Sequence, residues 1–546
     1  MVCWDTIVIG SGAGGLTAAA ALARRGQRVL VLEQHYLPGG WTHSFSLDGY
    51  RFSPGVHYLG ECGPGGSLRN LFEGLGLTDD LELCEMSPDG FDHLIVGSER
   101  FDVPRGWDRL VRRLVARFPH EREGITRYFD VCRGLARDVS NVDHLLSFPR
   151  MLALPLLAPK LTRWWLSTQS ALLDRTITDP LLRAFLTAQN GDHGLAPSRV
   201  SLPVHACTIA HYAGGAYYPR GGARSIPRAL IAALRRHGGS IRLRARVKRI
   251  LVERGRACGV EMETGEVIRA RDIVSNADPH LTYSRLLPPE VCPRERARSG
   301  KMRYSVSVLS VFAATSMDLR ARGHDSGNYW YYPGTDVGRA YERAEHALPG
   351  DSIESLFLAI TTLKDPGHDR RGHHTIEMFT FLPYAPFARW EETPHGQRGG
   401  EYQSLKERIA DRMIEAAENI IPGLSKQLVF RSVGTPVTNG FYCESPFGSA
   451  YGTAKTPWQV GPFAHRTRAE VDGLHLCGAS TLSHGVAGAS ISGLMVAQDI
   501  LGVSSRNDLL GPPDGSLRVY PADRPETWLP AVRGRAAPTF GLQDAE

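Results

Sequence analysis

The residues with the clearest potential for chemistry are glycines near the start of the chain. Gly10, Gly12 and Gly15 fit the spacing G-x-G-x-x-G, and Ala13 and Gly14 lie inside the motif. The first glycine permits a tight turn, the second lets the backbone approach a diphosphate, and the third lets a helix pack closely on a sheet. The N-terminus of such a helix attracts phosphate through its free N–H groups and its dipole. The motif therefore predicts a dinucleotide-binding turn.

This turn needs a strand before it and a helix after it. Residues 6–9 form an apolar run that predicts a strand, an alanine-rich helix follows the glycines, and residues 29–32 predict a second strand. The second strand runs directly into Glu33 and Gln34. An acidic residue at this place accepts hydrogen bonds from a ribose and repels a 2′-phosphate, which favours FAD or NAD over NADP. The alternative is a glycine-rich turn in an α/β domain that binds no cofactor.

Composition excludes several classes of protein. The chain has 546 residues, of which 42% are hydrophobic and 22% are charged, and these values exclude disordered and fibrous proteins. The net charge of +6 is too weak over this length to indicate nucleic acid as a partner. The nine cysteines are scattered without a C-x-x-C pair, and the histidines lack a recognised ligand spacing. We therefore expect no disulfide framework and no metal site.

The location of the protein depends on one unusual segment. No signal peptide pattern and no run of about 18 apolar residues occurs, so we expect a cytoplasmic protein. Residues 145–166 are strongly apolar, are interrupted by prolines, and place Trp164 and Trp165 beside basic residues. Aromatic residues beside cations are typical of a membrane interface. The segment predicts a peripheral contact with the inner face of a membrane; a buried helical hairpin is the alternative.

Further motifs extend along most of the chain. They are Leu32-Glu33-Gln34-His35, Gly39-Gly40, His43-Ser44-Phe45, Gly55-Val56-His57-Tyr58, Asp192-His193-Gly194, Tyr218-Pro219-Arg220-Gly221-Gly222, Val274-Ser275-Asn276-Ala277, Thr435-Pro436-Val437-Thr438-Asn439 and the run from Leu474 to Gly493. Together they resemble the retinol saturase, carotenoid isomerase and phytoene desaturase branch of the amine oxidase superfamily, whose cofactor is FAD. We find no second G-x-G-x-x-G for a nicotinamide cofactor.

The resemblance implies roles for residues beyond the first turn. The chain would pass close to FAD at Gly39, Gly40 and Trp41, although amine oxidases and many desaturases have Arg at the position of Trp41. The backbone of Val247 would bind the adenine. The C-terminal segment would supply the remaining contacts, to the ribityl chain, the phosphates and the flavin ring, from Gly478, Ala479, Val486, Ala487 and Gly488. The resemblance places His57 and Tyr58 beside the flavin, where they would donate a proton or orient the substrate. The alternative is that the two residues form a structural hydrogen-bonding pair.

The fold implied is α/β. A Rossmann-type FAD-binding domain is expected to combine with a discontinuous α+β substrate domain. We assign residues 1–90, 205–290 and 426–502 to the FAD-binding domain, residues 91–204 and 291–425 to the substrate domain, and residues 503–546 to an extended tail.

The function implied is flavin chemistry on an apolar polyene. We expect an FAD-dependent oxidoreductase that saturates or desaturates a carbon–carbon double bond in a carotenoid, a retinoid or a related isoprenoid by hydride transfer at flavin N5. Cis–trans isomerisation of a carotenoid is the first alternative. Amine oxidation and a non-enzymatic escort that binds prenylated partners are further alternatives. The sequence does not identify the electron donor or acceptor.

Overall fold

Two seven-stranded sheets organise the chain. The computed structural model describes residues 4–141, 154–368, 372–394 and 396–533. The strands in these residues are β1 (Trp4–Ile9), β2 (Val29–Leu32), β3 (Phe45–Leu47), β4 (Tyr50–Phe52), β5 (Glu82–Glu85), β6 (Asp92–Val96), β7 (Glu99–Val103), β8 (Tyr217–Pro219), β9 (Ser240–Arg242), β10 (Val247–Glu253), β11 (Arg256–Met262), β12 (Val267–Ser275), β13 (Ser307–Thr315), β14 (Asn328–Tyr332), β15 (Leu356–Ile360), β16 (His374–Leu382), β17 (Leu428–Gly434), β18 (Leu474–Leu476) and β19 (Arg518–Pro521).

The helices lie mainly between these strands and cover their faces. Those of seven residues or more in the described chain are Ala13–Arg24, Ser67–Gly74, Trp107–Arg117, Arg122–Asn141, Gln169–Thr176, Pro180–Thr187, Leu202–Ala213, Ser225–Arg236, Pro293–Ser299, Val337–Ala344, Gly399–Ala417, Pro436–Cys443 and Gly485–Leu501.

The first sheet holds the glycine-rich turn. Strands β9, β2, β1, β12 and β18 run parallel, and β12 also pairs with β11 of an antiparallel extension. The parallel strands β1, β2 and β18 are apolar runs with little exposed surface, as expected where helices cover both faces of a sheet. The helices Ala13–Arg24 and Gly485–Leu501 pack against each other, so the two ends of the chain meet. The predicted α/β fold is confirmed.

The second sheet lies in the expected substrate domain. Its order is β17-β13-β16-β15-β14-β6-β7, and every pair is antiparallel except β14 with β6. The helix Gly399–Ala417 packs on β13, β15 and β16. The sheet to which strand β17 belongs differs from the predicted division of the chain into domains. It falls within 426–502, which we assigned to the cofactor domain, but it completes this second sheet because its backbone pairs with β13.

The C-terminal segment also differs from the prediction. We expected an extended tail from residue 503, yet β19 pairs in parallel with β5, and Trp528 is buried with its ring 5.8 Å from the Arg220 guanidinium. Parts of residues 503–533 are therefore packed against the rest of the chain, at β5 and Arg220. Residues 534–546 lie outside the described chain.

The apolar segment 145–166 is described only from residue 154. This part forms two short helices, Leu154–Leu157 and Pro159–Trp164, with Leu161 and Trp164 buried and Leu156 85% exposed. Within the described residues, none of the helices combines the length and the apolar character that crossing a membrane requires.

Candidate active site

The glycine-rich turn connects β1 to the helix Ala13–Arg24. Gly10 has a φ of +90°, a conformation that residues with a side chain rarely adopt. A Cβ on Gly12 would lie 2.6 Å from the Asn276 side-chain nitrogen, and one on Gly15 would lie 2.4 Å from the Gly10 carbonyl oxygen. Asn276 follows β12, and its Oδ1 accepts a hydrogen bond of 3.0 Å from the Gly15 N–H. The turn therefore requires glycine at these positions.

A cavity opens at the carboxyl ends of the parallel strands, and we call it the central cavity. Most of the residues that we predicted to bind the cofactor lie in its wall: Gly10, Gly12, Ala13, Gly14, Glu33, Gln34, Gly39, Gly40, Trp41, Val247, Gly478, Ala479 and Val486. Gly15, Ala487 and Gly488 are not in the wall. Gly15 lies against the backbone of Gly10, and a Cβ on Gly488 would lie 2.6 Å from the Ser483 carbonyl oxygen. A side chain at Gly15 or Gly488 would therefore collide with neighbouring backbone.

The Glu33 carboxylate is held in place at the end of β2. Its Oε2 accepts hydrogen bonds from the Ser11 N–H at 2.8 Å and from the Ser11 hydroxyl at 2.6 Å. Its Oε1 accepts one from the His35 N–H at 2.8 Å. A carboxylate has about four acceptor positions, so capacity remains for the hydroxyls of a ribose.

The C-terminal segment closes the other side of the central cavity. Gly478 has a φ of +107°, and its N–H donates to the Ser492 hydroxyl at 2.8 Å. The helix Gly485–Leu501 begins at this wall, where its free N–H groups favour negative charge. The half-buried His484 precedes the helix and also lines the cavity, a feature that sequence analysis missed. Burial lowers the pKa of His484 well below its ordinary value, so the ring is neutral.

The pair His57-Tyr58 is divided between two environments. His57 lies in the wall of the central cavity, and its Nδ1 is 3.0 Å from Oε2 of the buried Glu377. Tyr58 is outside this wall; its hydroxyl donates to Asp192 at 2.8 Å, and its ring stacks on Tyr212 with the centroids 4.3 Å apart. The structure therefore brings His57, but not Tyr58, to the candidate site.

Two buried residues that sequence analysis missed support His57. The other carboxylate oxygen of Glu377 accepts a hydrogen bond of 2.5 Å from the Ser53 N–H. Lys364 donates to the His57 carbonyl oxygen at 2.7 Å and to the Asn328 side chain. Burial lowers the pKa of Lys364 to about 7, against the opposing effect of the Glu377 and Asp92 charges. His57 is thus fixed through both its ring and its backbone.

Two further cavities flank this site. The wide cavity has a volume of about 870 Å³, lies between the β3–β4 hairpin, β13, β17 and the helix Gly399–Ala417, and shares Trp41, Pro54, Tyr442 and Cys443 with the wall of the central cavity. The narrow cavity has about 50 Å³ of free volume and lies among helices beside β6 and β7. Its walls are mostly apolar, and the polar side chains among them include Gln189, Asp192, His193, His205 and Thr208.

The residues present fit FAD. The loops at Gly12 and Gly40 approach each other closely, and a Cβ on Gly40 would lie 3.4 Å from the Gly12 Cα. Because neither residue has a side chain, the glycine-rich turn leaves room for a diphosphate. Glu33 offers acceptors for a ribose, and the helix N-terminus at Gly485 faces the same cavity. No cluster of three or more metal-ligating side chains occurs among the described residues. The glycine-rich turn, Glu33 and the helix N-terminus together therefore suit a dinucleotide.

Comparisons with known proteins agree with this assignment. The family model for flavin containing amine oxidoreductases matches residues 13–501. The all-trans-retinol 13,14-reductase of Rattus norvegicus is 31% identical over 533 residues, which cover 92% of this chain and 87% of the relative. A chloroplastic prolycopene isomerase of Arabidopsis thaliana is 28% identical over 518 residues, covering 91% of this chain and 82% of the relative.

Solved structures share the fold. Putrescine oxidase bound to putrescine superimposes with a TM-score of 0.62 at 16% identity, covering 92% of this chain and 100% of that one. The cavity geometry, the family model and the relatives lead to one conclusion. The chain belongs to the flavin containing amine oxidoreductase family and is an FAD-dependent oxidoreductase.

Proposed function

We propose that the protein saturates a carbon–carbon double bond in an apolar polyene. The observation that carries this proposal is the wide cavity, which adjoins the central cavity through four shared wall residues and has a volume typical of ligand sites, roughly 300–1,000 Å³. The 31% identity to a retinol reductase over nearly the whole chain supports the same substrate class. Bound FAD supplies hydride chemistry at its N5 atom.

We propose that His57 provides the proton that saturation requires. Glu377 fixes the ring through Nδ1, which leaves Nε2 as the atom able to transfer a proton toward the cavity. Lys364 holds the backbone of the same residue, so the ring keeps one position during the reaction. The aromatic rings of Phe357 and Phe379 pack on His57 with centroids 4.9 and 5.5 Å away and exclude water from it.

The remaining contacts to FAD are proposed in the same way. We propose that Glu33 binds the adenosine ribose, that Gly10, Gly12 and Gly14 accommodate the diphosphate, and that the Val247 backbone binds the adenine. Support comes from the presence of all these residues in the wall of one cavity.

The experiment is an anaerobic incubation of the flavin-loaded, dithionite-reduced protein with a panel of polyenes, with the products followed by mass. Saturation adds two mass units and isomerisation leaves the mass unchanged; desaturation removes two and is tested in a parallel incubation with the oxidised flavin, which accepts the hydride. We expect a gain of two in the wild type and slow formation of the same product by His57→Gln with its flavin retained. An unchanged mass with an altered double-bond geometry would replace this proposal by isomerisation, which the similarity to a prolycopene isomerase favours as second candidate.

We also propose a peripheral membrane contact through residues 145–166. Support comes from Leu156 and Leu157, which are 85% and 50% exposed next to Arg163 and Trp165. Replacing both leucines by Asp should reduce binding to anionic liposomes without changing flavin content. Leu529, which is 69% exposed elsewhere, provides the control Leu529→Asp. Equal liposome binding by the double variant and the control would contradict the contact.

A further inference from the structure

The wide cavity contains a buried positive charge for which the described residues provide no carboxylate partner. Arg398 lies in its wall, directly before the helix Gly399–Ala417, and is 7% exposed. Its Nη1 donates to the Tyr402 hydroxyl at 3.3 Å, while its Nε has no hydrogen-bond partner within the described chain. The Tyr402 hydroxyl also bonds Thr435 at 2.8 Å, so it is shared between two groups. The guanidinium is therefore left with unused donors.

The surroundings of Arg398 add positive charge. Lys406 lies in the same wall, is 17% exposed, and has its ammonium 5.8 Å from the centre of the Tyr402 ring. Its nearest carboxylate is that of Glu407 at 3.9 Å, on the adjacent residue. Among the described residues that line the wide cavity, none is Asp or Glu. Buried cations are normally paired with an anion because desolvation without a partner is costly.

We propose that the wide cavity takes a polyene that carries an oxyanion head group, a carboxylic acid, and that Arg398 binds this head. The inference rests on the proposed function and specifies its substrate class. Arginine presents paired N–H donors that match a carboxylate in two parallel hydrogen bonds. The first turn of the helix Gly399–Ala417 adds partial positive charge at the same end of the cavity.

The rest of the wall fits the apolar chain of the same ligand. Phe45 and Phe312 contribute aromatic surface, with ring centroids 5.0 Å apart, and Val433 lies in the neighbouring strand β17. The wall residues Trp41 and Tyr442 connect this surface to the central cavity. A molecule with its carboxylate at Arg398 can thus extend its conjugated chain toward the flavin.

The test compares three ligands with one carbon skeleton: all-trans-retinoic acid, all-trans-retinol and methyl all-trans-retinoate. Each is titrated into the flavin-loaded protein, and affinity is measured by calorimetry without turnover. The acid should bind about 10- to 100-fold more tightly than the alcohol or the ester, as expected for hydrogen bonds to a charged group. Arg398→Gln should remove this preference and leave the affinities for the alcohol and ester unchanged.

Two further variants separate the head-group site from general effects of charge. Lys406→Gln should reduce the preference for the acid by a smaller factor than Arg398→Gln. Arg408→Gln is the matched control, because Arg408 is exposed on the same helix and lies outside the cavity wall. It should leave all three affinities unchanged. Flavin content, measured by absorbance, reports whether each variant is folded.

The outcomes distinguish this inference from the proposed function. Equal affinity of the wild type for acid and alcohol would overturn the head-group site, even where the dithionite-reduced protein still saturates the alcohol. The head-group site would also be overturned if a dinucleotide phosphate bound through Arg398 and the acid did not, because Arg398 would then bind a different anion. Arg398-dependent binding of the acid without any change in its mass would support the site and contradict saturation.

Discussion

The wide and the narrow cavity both lie near the candidate site, and their polar side chains differ in charge. The wide cavity has Arg398 and Lys406 in its wall and about 870 Å³ of space. The narrow cavity has about 50 Å³, close to the space of one or two water molecules, and burial favours the neutral forms of Asp192 and His193 in its wall. Burial lowers the pKa of His193 to about 3 and raises that of Asp192 well above its ordinary value.

This difference teaches that apolar lining alone does not identify a substrate site. The narrow cavity is the more apolar of the two, yet little free volume remains in it. The wide cavity combines unfilled volume with an unsatisfied charge, and both are costs that a ligand would remove. Volume and uncompensated charge are therefore the better evidence for ligand binding.

The largest expected effect on ligand affinity comes from filling the wide cavity. Ser310 lies on β13, is 9% exposed, and lines this cavity. Ser310→Phe should project a ring into the space of the polyene and lower its affinity by about 100-fold or more, on the order of 3 kcal/mol. Calorimetric titration with retinol measures this, and Ser310→Ala serves as the control that should bind normally. Normal binding by Ser310→Phe would move the polyene to another site.

The second prediction concerns the narrow cavity as a packing element. Leu114, which is 1% exposed, lines it from the helix Trp107–Arg117. Leu114→Ala should lower the free energy of unfolding by about 2–5 kcal/mol, because contacts are lost and a void remains. Polyene affinity should not change. Urea unfolding measures the stability, and the exposed Arg112→Ala on the same helix should stay within about 0.5 kcal/mol of the wild type.

A loss of polyene affinity in Leu114→Ala, with its flavin content intact, would contradict this division of roles. It would show that the apolar chain of the substrate enters between the helices and that the narrow cavity opens to admit it.

The α/β fold and the FAD cofactor are predicted well from sequence because their signals are local. Gly10, Gly12, Gly15 and Glu33 lie within one strand–helix–strand unit, so spacing alone predicts their arrangement. Glu377 and Arg398 lie far along the chain from this unit, so no local spacing predicts their roles. Glu377 reaches His57 from a strand more than half the chain away, and a lone carboxylate in the apolar strand β16 was the only available signal.

The pairing of strands that lie far apart in the chain could not be predicted from the sequence either. The residues after 503 are rich in Pro, Gly and Arg, which favoured an extended tail, but β19 pairs with β5 through main-chain hydrogen bonds that composition does not encode. Strand β17 joined the second sheet for the same reason. Charges and strand partners that are distant in sequence therefore account for most of what the sequence could not predict.

The smallest expected effect is a change in the pH dependence of stability at the polar end of the narrow cavity. Burial and the negative charge of Asp92 raise the pKa of Asp192. At pH values between the ordinary pKa of an aspartate and the raised one, the folded protein therefore retains a proton that the unfolded chain releases. Stability from this group is fully present below about pH 4 and is lost as the pH rises through the raised pKa.

Asp192→Asn removes this titration while its amide oxygen can still accept the Tyr58 hydrogen bond. The stability of the variant relative to the wild type should therefore increase with pH, by at most about 1.4 kcal/mol per pH unit. Urea unfolding of both proteins at several pH values above about 4 measures the difference. The His193 ring titrates in both proteins and cancels in that difference. Parallel stability curves would show that Asp192 is ionised in the folded protein, and the narrow cavity would then hold a charge as the wide cavity does.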